Sequence, residues 1–360
     1  MNTKINTVKL TINGLEHTGW TDVNITAGIE QQARSFNLGM TWTDIHSKNT
    51  FKVQSGDRCQ VSIGDDLVIT GYVFSTPIQY DSQQISRSIV GRSLTADLVD
   101  CAAIGPPSQW QQQPIHRIVH DLAKHYGIDV VGQNLTKLAD HTINPSETVF
   151  ESIDRLINLS RLLSTDDEQG RVVLAQPGDA GHCADALVLG QNILSAETQL
   201  DFSNVYSEYR CQGQNKEEFT SVQAKIKDNR IKRQRVLLIQ ESGQLTTALA
   251  QARVRWEREN RMSRALSTTY QVQGWRQSNG ALWRANSLVR VTDPLVGFDR
   301  ELLIIEVNYK LDSNGSTTTL TVAPAAGFYP EPDDARKRHK HQHAKDNFEY
   351  LLSADWDKKS

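Results

Sequence analysis

Short runs of alternating apolar and polar residues, broken by turn residues, constrain this chain more than any other feature. Val8, Leu10 and Ile12 alternate with polar neighbours, as do Val23 and Ile25, and then Cys59, Val61 and Ile63. A Gly64–Asp66 turn leads into Leu67 and Ile69, the pattern continues through Tyr72 and Phe74, and Ile85, Ile89 and Val90 close the block. In a strand, successive side chains point to opposite faces, so this period of two marks half-buried antiparallel strands. Gly, Asn and Asp between the runs supply the turns. Many short strands in so few residues predict a small barrel or sandwich over residues 1–95.

The period changes after Arg92. Residues 93–102 read as a short helix or turn. Pro114 opens a helix with Ile115, Ile118, Val119, Leu122 and Tyr126 on one face, and Gly127 ends it. A second helix is expected near Asn144-Pro145-Ser146-Glu147, with Asn144 as cap and Glu147 at the third position, and with Val149, Ile153, Leu156 and Ile157 buried. Strands at Ile128–Val131 and Arg171–Ala175 flank the helices. Residues 96–178 therefore read as an α+β module.

From about 179 the chain returns to strands, at Leu187–Leu189, Val205–Cys211, Leu266–Val272, Leu288–Val291, Leu302–Tyr309 and Thr317–Val322. A helical and basic insertion at about 214–264 interrupts them. It holds a polar basic stretch from Lys216 to Arg235 and a charged helix, about Thr246–Arg264, with Leu249, Ala252 and Trp256 as its apolar edge. Residues 329–360 form a charged C-terminal extension. The expected fold is thus α+β and mostly β, with domains over 1–95, 96–178 and 179–328 and the extension beyond.

The two strand-rich segments share a plan. In the first, Val61 and Ile63 precede a glycine turn, then strands leading to Val73 and Val90. In the second, Val289 and Val291 precede Gly297, followed by Leu303, Ile305 and Val307, an Asn314-Gly315 turn, and Leu320 and Val322. Asn-Gly suits a tight hairpin because both central positions take positive φ. On pattern alone, any two meanders look like this, so a true duplication and a coincidence stand side by side.

Composition narrows function. The chain has 360 residues, enough for two or three domains, with 38% hydrophobic and 22% charged residues and a net charge of −3. That excludes wholesale disorder and a polycationic nucleic-acid binder. No apolar run nears the roughly 20 residues a bilayer span needs. Met1–Leu10 carries no apolar signal segment, so export by a signal peptide is not expected. Cys59, Cys101, Cys183 and Cys211 form no CxxC pair and read as free thiols.

A search for chemistry returns little. There is no phosphate-binding glycine loop, HExxH or GxSxG. Asp65-Asp66, Asp166-Asp167-Glu168 and Asp333-Asp334 sit in turns. His339, His341 and His343 would share a face of a strand, but Arg336, Lys337, Arg338, Lys340 and Lys345 around them repel a cation, so no metal is assigned. No catalytic residue, cofactor or small-molecule substrate is expected, and an enzyme is not. Trp275 and Trp283 flank the Ser278-Asn279-Gly280 turn as packing residues. Lys225, Lys227, Arg230, Lys232, Arg233 and Arg235 make a candidate face for nucleic acid or an acidic partner, against the plainer reading of a solvated strand pair. A nucleic-acid-binding barrel protein is therefore the alternative to a structural role.

Several segments, taken in order, resemble the baseplate hub proteins of Mu-type contractile-tail phages. They are Gly91-Arg92-Ser93-Leu94-Thr95-Ala96-Asp97-Leu98-Val99-Asp100-Cys101-Ala102, then Ser146–Glu151 and Phe202–Gly213. Gly280, Leu282, Trp283 and Asn286 with Leu288-Val289 follow, and Ala323-Pro324 with Gly327-Phe328 closes the series. The family is related to the hub part of type VI secretion spike proteins. The resemblance implies two tube-type β-barrels per chain and a homotrimer. Its six barrels would form a pseudo-six-fold ring joining a six-fold tail tube to a three-fold spike, with a channel for DNA. It implies tail tube, spike and baseplate wedge proteins as partners. It also implies a place in the virion baseplate after assembly in the host cytoplasm. The basic stretch at 216–235 and the C-terminal extension depart from the family pattern.

Overall fold

The computed structural model describes residues 6–42, 53–82, 85–132, 138–157, 162–215 and 220–329. The first block supplies β1 (Val8–Ile12), β2 (Leu15–His17), β3 (Asp22–Gly28), β4 (Ser35–Trp42), β5 (Arg58–Ile63), β6 (Asp66–Ser75), β7 (Ile78–Tyr80) and β8 (Ile85–Ser93). The middle supplies α1 (Ala96–Asp100), β9 (Gln109–Pro114), α2 (Ile115–Ala123), β10 (Val130–Gly132), β11 (Leu138–Thr142), α3 (Val149–Ile157), β12 (Leu163–Asp166) and β13 (Val172–Ala175). Then come β14 (Leu187–Val188), β15 (Ile193–Thr198), β16 (Glu208–Asn215), β17 (Thr220–Lys227), β18 (Val236–Gln244) and α4 (Thr247–Ala265). The chain closes with β19 (Thr268–Gln273), β20 (Leu288–Asp293), β21 (Phe298–Asp312) and β22 (Gly315–Ala323).

The mostly β character read from the sequence is what the chain adopts. The strands of the two repeating blocks lie in one 14-stranded sheet. Its main path runs β15-β19-β22-β21-β3-β4-β8-β6-β5-β1-β2, with β7 on β8 and β20 and β14 branching from β21. Within it the same order is used twice. The ladder β3-β4-β8-β6-β5-β1 in the first block matches β15-β19-β22-β21-β20-β14 in the second. The last step differs, because β1 joins β5 antiparallel while β14 joins β20 parallel. One apolar core runs under both blocks, from Leu10, Ile25, Phe36 and Ile69 to Tyr270, Trp275, Val291 and Leu320. Arg276 ties the blocks further, donating to Asp66 Oδ2 at 2.5 Å and to the Ile63 carbonyl at 2.9 Å.

The α+β module has its own core. Ile115, Ile118, Val119 and Leu122 of α2 face Val149, Ile153 and Leu156 of α3, with Val172 and Leu174 below. Gly127 stops the first helix in the left-handed region at φ 67°. The second helix begins later than Asn144. Its capping box is Thr148 and Glu151, whose side chains each accept the other's backbone N–H, at 2.8 Å for Thr148 N–H on Glu151 and 3.2 Å for the return. Asn144 and Glu147 make a look-alike turn just upstream, where the Glu147 carboxylate accepts the Asn144 N–H at 2.7 Å. The rest of the 179–328 segment adds a three-stranded sheet, order β17-β16-β18, packed under α4. The buried residues of α4 include Ala250, Val254 and Glu257 rather than the expected Leu249, Ala252 and Trp256, which are only partly covered.

Candidate assembly surfaces

The part of the large sheet that spans both blocks has two unlike faces. One covers the core. The other is polar: most strands place Ser, Thr, Asn or Gln at alternate positions, and Glu197, Glu306, Lys310 and Asp22 stand among them. Register sets Ser195, Gln271, Thr319, Asn308, Thr26 and Ser35 side by side across six strands. These residues bond to each other along the row. Asn308 Nδ2 donates to Asn24 Oδ1 at 2.7 Å and to Thr26 Oγ1 at 2.8 Å, and Ser195 Oγ donates to Gln271 Oε1 at 3.1 Å. The face therefore crosses the boundary between the two blocks without a break.

The α+β module attaches to this sheet through β12 and the turn after it. The carboxylate of Asp166, 1% exposed, accepts from Arg34 Nε at 3.1 Å and from the Arg34 backbone N–H at 2.9 Å. The same guanidinium donates to the Asp166 carbonyl at 3.1 Å and the Val68 carbonyl at 3.0 Å. Burial pulls the Arg34 pKa down, but Asp166 and Glu168 beside it outweigh that and hold it above its ordinary value. Thr165 Oγ1 donates to the Gly28 carbonyl and Thr70 Oγ1 to the Glu168 carbonyl, each at 3.0 Å. Gly170, at φ +77°, completes the contact: a Cβ there would sit 2.8 Å from both Leu94 Cγ and the Thr70 carbonyl oxygen. A cavity of about 240 Å³ beside this joint is lined by Arg34, Asp166, Glu168, Arg284 and Tyr309. These charges are already engaged with one another, so the joint reads as structural.

The basic stretch does not act as one unit. Lys225 and Lys227 project from the exposed side of β17, and Lys232 and Arg233 sit in the exposed turn toward β18. Arg230 is held bidentately by buried Asp228, at 2.8 and 2.7 Å. Arg235 stacks 4.9 Å over the Tyr206 ring and donates to the Ser203 carbonyl. The sequence grouped six cations by proximity along the chain; the fold leaves four of them facing solvent. Residues 216–219 and the histidine-containing extension at 330–360 lie outside the described residues.

No helix among the described residues is long and apolar enough to cross a membrane. Asp185, Asp293 and Glu257 are all taken up by neighbouring groups: Asp185 caps Ser278, Asp293 accepts from Tyr270, and Glu257 pairs with Arg261. The sequence gives no sign of β7, which is only three residues long, or of β15, where Ile193 and Leu194 stand side by side and break the alternation. Ile78 and Tyr80 on β7 and Leu194 on β15 are more than half exposed, and among the described residues no strand pairs with β7 or β15 on its outer side.

Three protein-family models match the chain in order. The N-terminal model of Mu phage baseplate assembly protein GpP-like covers residues 7–93, the second domain of baseplate hub protein gp44-like covers 95–176, and the fourth domain of Mu phage baseplate assembly protein GpP covers 246–331. Baseplate hub protein gp44 of Escherichia phage Mu is 31% identical over 356 residues, spanning 93% of this chain and 92% of that protein. The crystal structure of the 43 kDa tail protein of prophage MuSo2 from Shewanella oneidensis matches with a TM-score of 0.83 and 29% identity, over 91% of this chain and 100% of that one. An Escherichia coli component of the type VI secretion system shares the fold at a TM-score of 0.53 and 14% identity, over 91% and 80% of the two chains.

Proposed function

We propose, from the premise that this chain belongs to the baseplate hub family of Mu-type phage tails, that three copies close into a ring at the centre of the baseplate. The protein is a structural component of the virion tail and not an enzyme. Each copy contributes two tube-type repeats, 1–95 and 179–328, each a small barrel in the ring, and the α+β module at 96–178 sits beside them. Three copies of two repeats give six similar positions about one axis. Such a ring presents six-fold symmetry to a tail tube and three-fold symmetry to a spike, with wedge proteins at its rim.

The observation that carries this reading is the repeated ladder order, joined within one chain by β21 on β3. A repeat that extends its sheet into the next repeat is a unit for closing a ring. The polar face running across that joint, rich in Ser, Thr, Asn and Gln and holding few cations, is suited to line a channel. DNA binds proteins chiefly through cations on its phosphates, and a wall of Ser, Thr, Asn and Gln offers few of those. Lys225, Lys227, Lys232 and Arg233 lie on the separate three-stranded sheet, where they suit an acidic partner protein.

Mass in solution tests the ring. Light scattering of the full chain is expected to show a three-copy species; a chain that stays single at high concentration overturns the proposal. Repeating the measurement with duplex DNA over a salt series tests the alternative. Tight, strongly salt-dependent binding lost on changing Lys225, Lys227, Lys232 and Arg233 to Glu would replace the hub reading of this surface with a nucleic-acid one.

A further inference from the structure

The three-stranded sheet β17-β16-β18 packs one face on α4, through Tyr209, Cys211 and Val222 against Ala250 and Val254. Alternation then turns Lys225 and Lys227 of β17, Arg210 of β16, and Val236 and Leu238 of β18 to the other face. Register places them in two rows, Lys227 beside Glu208 and Val236, and Lys225 beside Arg210 and Leu238. Val236 is 39% and Leu238 56% exposed. Glu208 is the one acid in these rows, and it accepts from Arg210 Nε at 2.7 Å. The outer face is therefore cationic along β17, with Lys232 and Arg233 in the turn beside it, and apolar along β18. Such a surface fits a partner that is acidic and apolar at once.

The chain carries a segment of that chemistry. Asp346–Asp357 holds Asp346, Glu349, Asp355 and Asp357 among Phe348, Tyr350, Leu351, Leu352 and Trp356, with no Lys, Arg or His between its ends. Its starting point is close to the sheet. Tyr329, the last residue described, accepts from Trp256 Nε1 through its carbonyl at 2.6 Å, which moors it to the middle of α4. Reaching the far face of the sheet from there means passing two layers of about 10 Å each. Residues 330–345 span up to roughly 55 Å when extended, so the distance is easily bridged.

We infer that segment 346–357 lies on the outer face of this sheet in its own copy, with Phe348, Leu351 and Leu352 over Val236 and Leu238 and its carboxylates against Lys225 and Lys227. This names the acidic partner of the surface and rests on reading that surface as one for acidic protein. The stretch before it is the connection and not the occupant, because Arg336, Lys337, Arg338, Lys340 and Lys345 are repelled by the same lysines. The contact is a reversible cover: its charges stay near solvent and are screened by salt, and its apolar part is small.

Carbodiimide coupling, which joins a lysine amine to a carboxylate in contact with it, tests the cover in the full chain. Mass spectrometry is expected to find Lys225 or Lys227 joined to Asp346, Glu349, Asp355 or Asp357. Leu238→Glu, at a side chain already mostly exposed, should lower that yield at least tenfold, as should Leu351→Ser with Leu352→Ser. Mixing isotope-labelled and unlabelled chains identifies the source: products joining the two kinds would give the face to a second copy and overturn the placement within one copy. A free peptide of residues 346–357 supplies an independent readout. It should bind the full chain carrying Asp346→Asn, Glu349→Gln, Asp355→Asn and Asp357→Asn at least tenfold tighter than the natural chain, whose own segment competes for the face. No coupling at Lys225 or Lys227, together with equal peptide binding, overturns the proposal. If duplex DNA then shows no salt-dependent binding either, only the occupant is lost; if it binds through those lysines, the acidic-protein reading of the surface falls too. Mass in solution enters neither readout, so the ring is judged separately.

Discussion

The joint between the two β repeats is a backbone ladder, whereas the joint between the α+β module and the sheet is a knot of side chains. In the first, β21 and β3 exchange hydrogen bonds over six register pairs from Glu306–Gly28 to Leu311–Val23. Any residues with the right alternation could make it. In the second, no strand of the module pairs with the large sheet among the described residues, and the contact turns on Arg34, Asp166, Thr165 and Thr70. A ladder is generic, so it can be used again by the same sequence in another copy. A buried ion pair is specific, so it fixes one orientation and tolerates little change.

The contrast predicts its own largest effect. Arg34→Met leaves the Asp166 carboxylate, almost wholly buried, without its cation and the Nε donor, while the backbone N–H of residue 34 and the Thr95 hydroxyl still reach it. Breaking a buried pair by removing one partner costs about 3–5 kcal/mol. Urea unfolding should show that loss, and adding Asp166→Leu should recover a good part of it. If Arg34→Met unfolds at the same urea concentration as the natural chain, the knot is not what holds the module.

Acid should separate the two regions next. Burial alone would push the Asp121 carboxyl up, but hydrogen bonds from Lys124, Trp110 and Arg117 bring it down to about 2. A carboxyl lower in the folded than the unfolded chain, where it titrates near 3.9, stabilises the fold above that value. The contribution, about 2 kcal/mol, fades as pH falls from about 4 through 2. Trp110 donates to Asp121 at 3.1 Å and so reports on it directly. Tryptophan fluorescence of Trp110, isolated by comparison with Trp110→Phe, should change in that window in the natural chain. It should lose its acid sensitivity in Asp121→Asn.

The sequence displayed the ladder regions better than the knot, for a physical reason. Alternation is a local signal, so the strands around Val61, Val289, Leu303 and Leu320 could be read from a few residues each. The same local logic failed where a glycine breaks a run. Phe36, Leu38 and Met40 alternate along β4, but Gly39 takes a place on its polar side, where a Cβ would lie 3.1 Å from Asp22 Cβ, and so weakens the strand signal. The helix at Val149 was placed too early because Asn144 and Glu147 copy a cap that Thr148 and Glu151 actually make. Asp166 was read as a turn residue because nothing nearby in sequence names its partner: Arg34 is 132 positions away. The basic stretch failed in the same way. Proximity along the chain grouped Arg230 and Arg235 with their neighbours, while Asp228 and Tyr206 had already claimed them.

The smallest expected effect lies in the ladder itself. Asn308 bridges the two repeats on the polar face, donating to Asn24 and Thr26. These groups are partly exposed, so water replaces the lost bonds, and Asn308→Ala should cost no more than about 1 kcal/mol. The backbone pairs on either side remain whole, and the core face keeps Tyr309 and Leu311 against Val23 and Ile25. Urea unfolding of this variant beside Arg34→Met decides the comparison. A difference of several-fold in lost stability supports a ladder that depends little on any one side chain. A loss equal to that of Arg34→Met would mean that the repeat joint is as specific as the module joint.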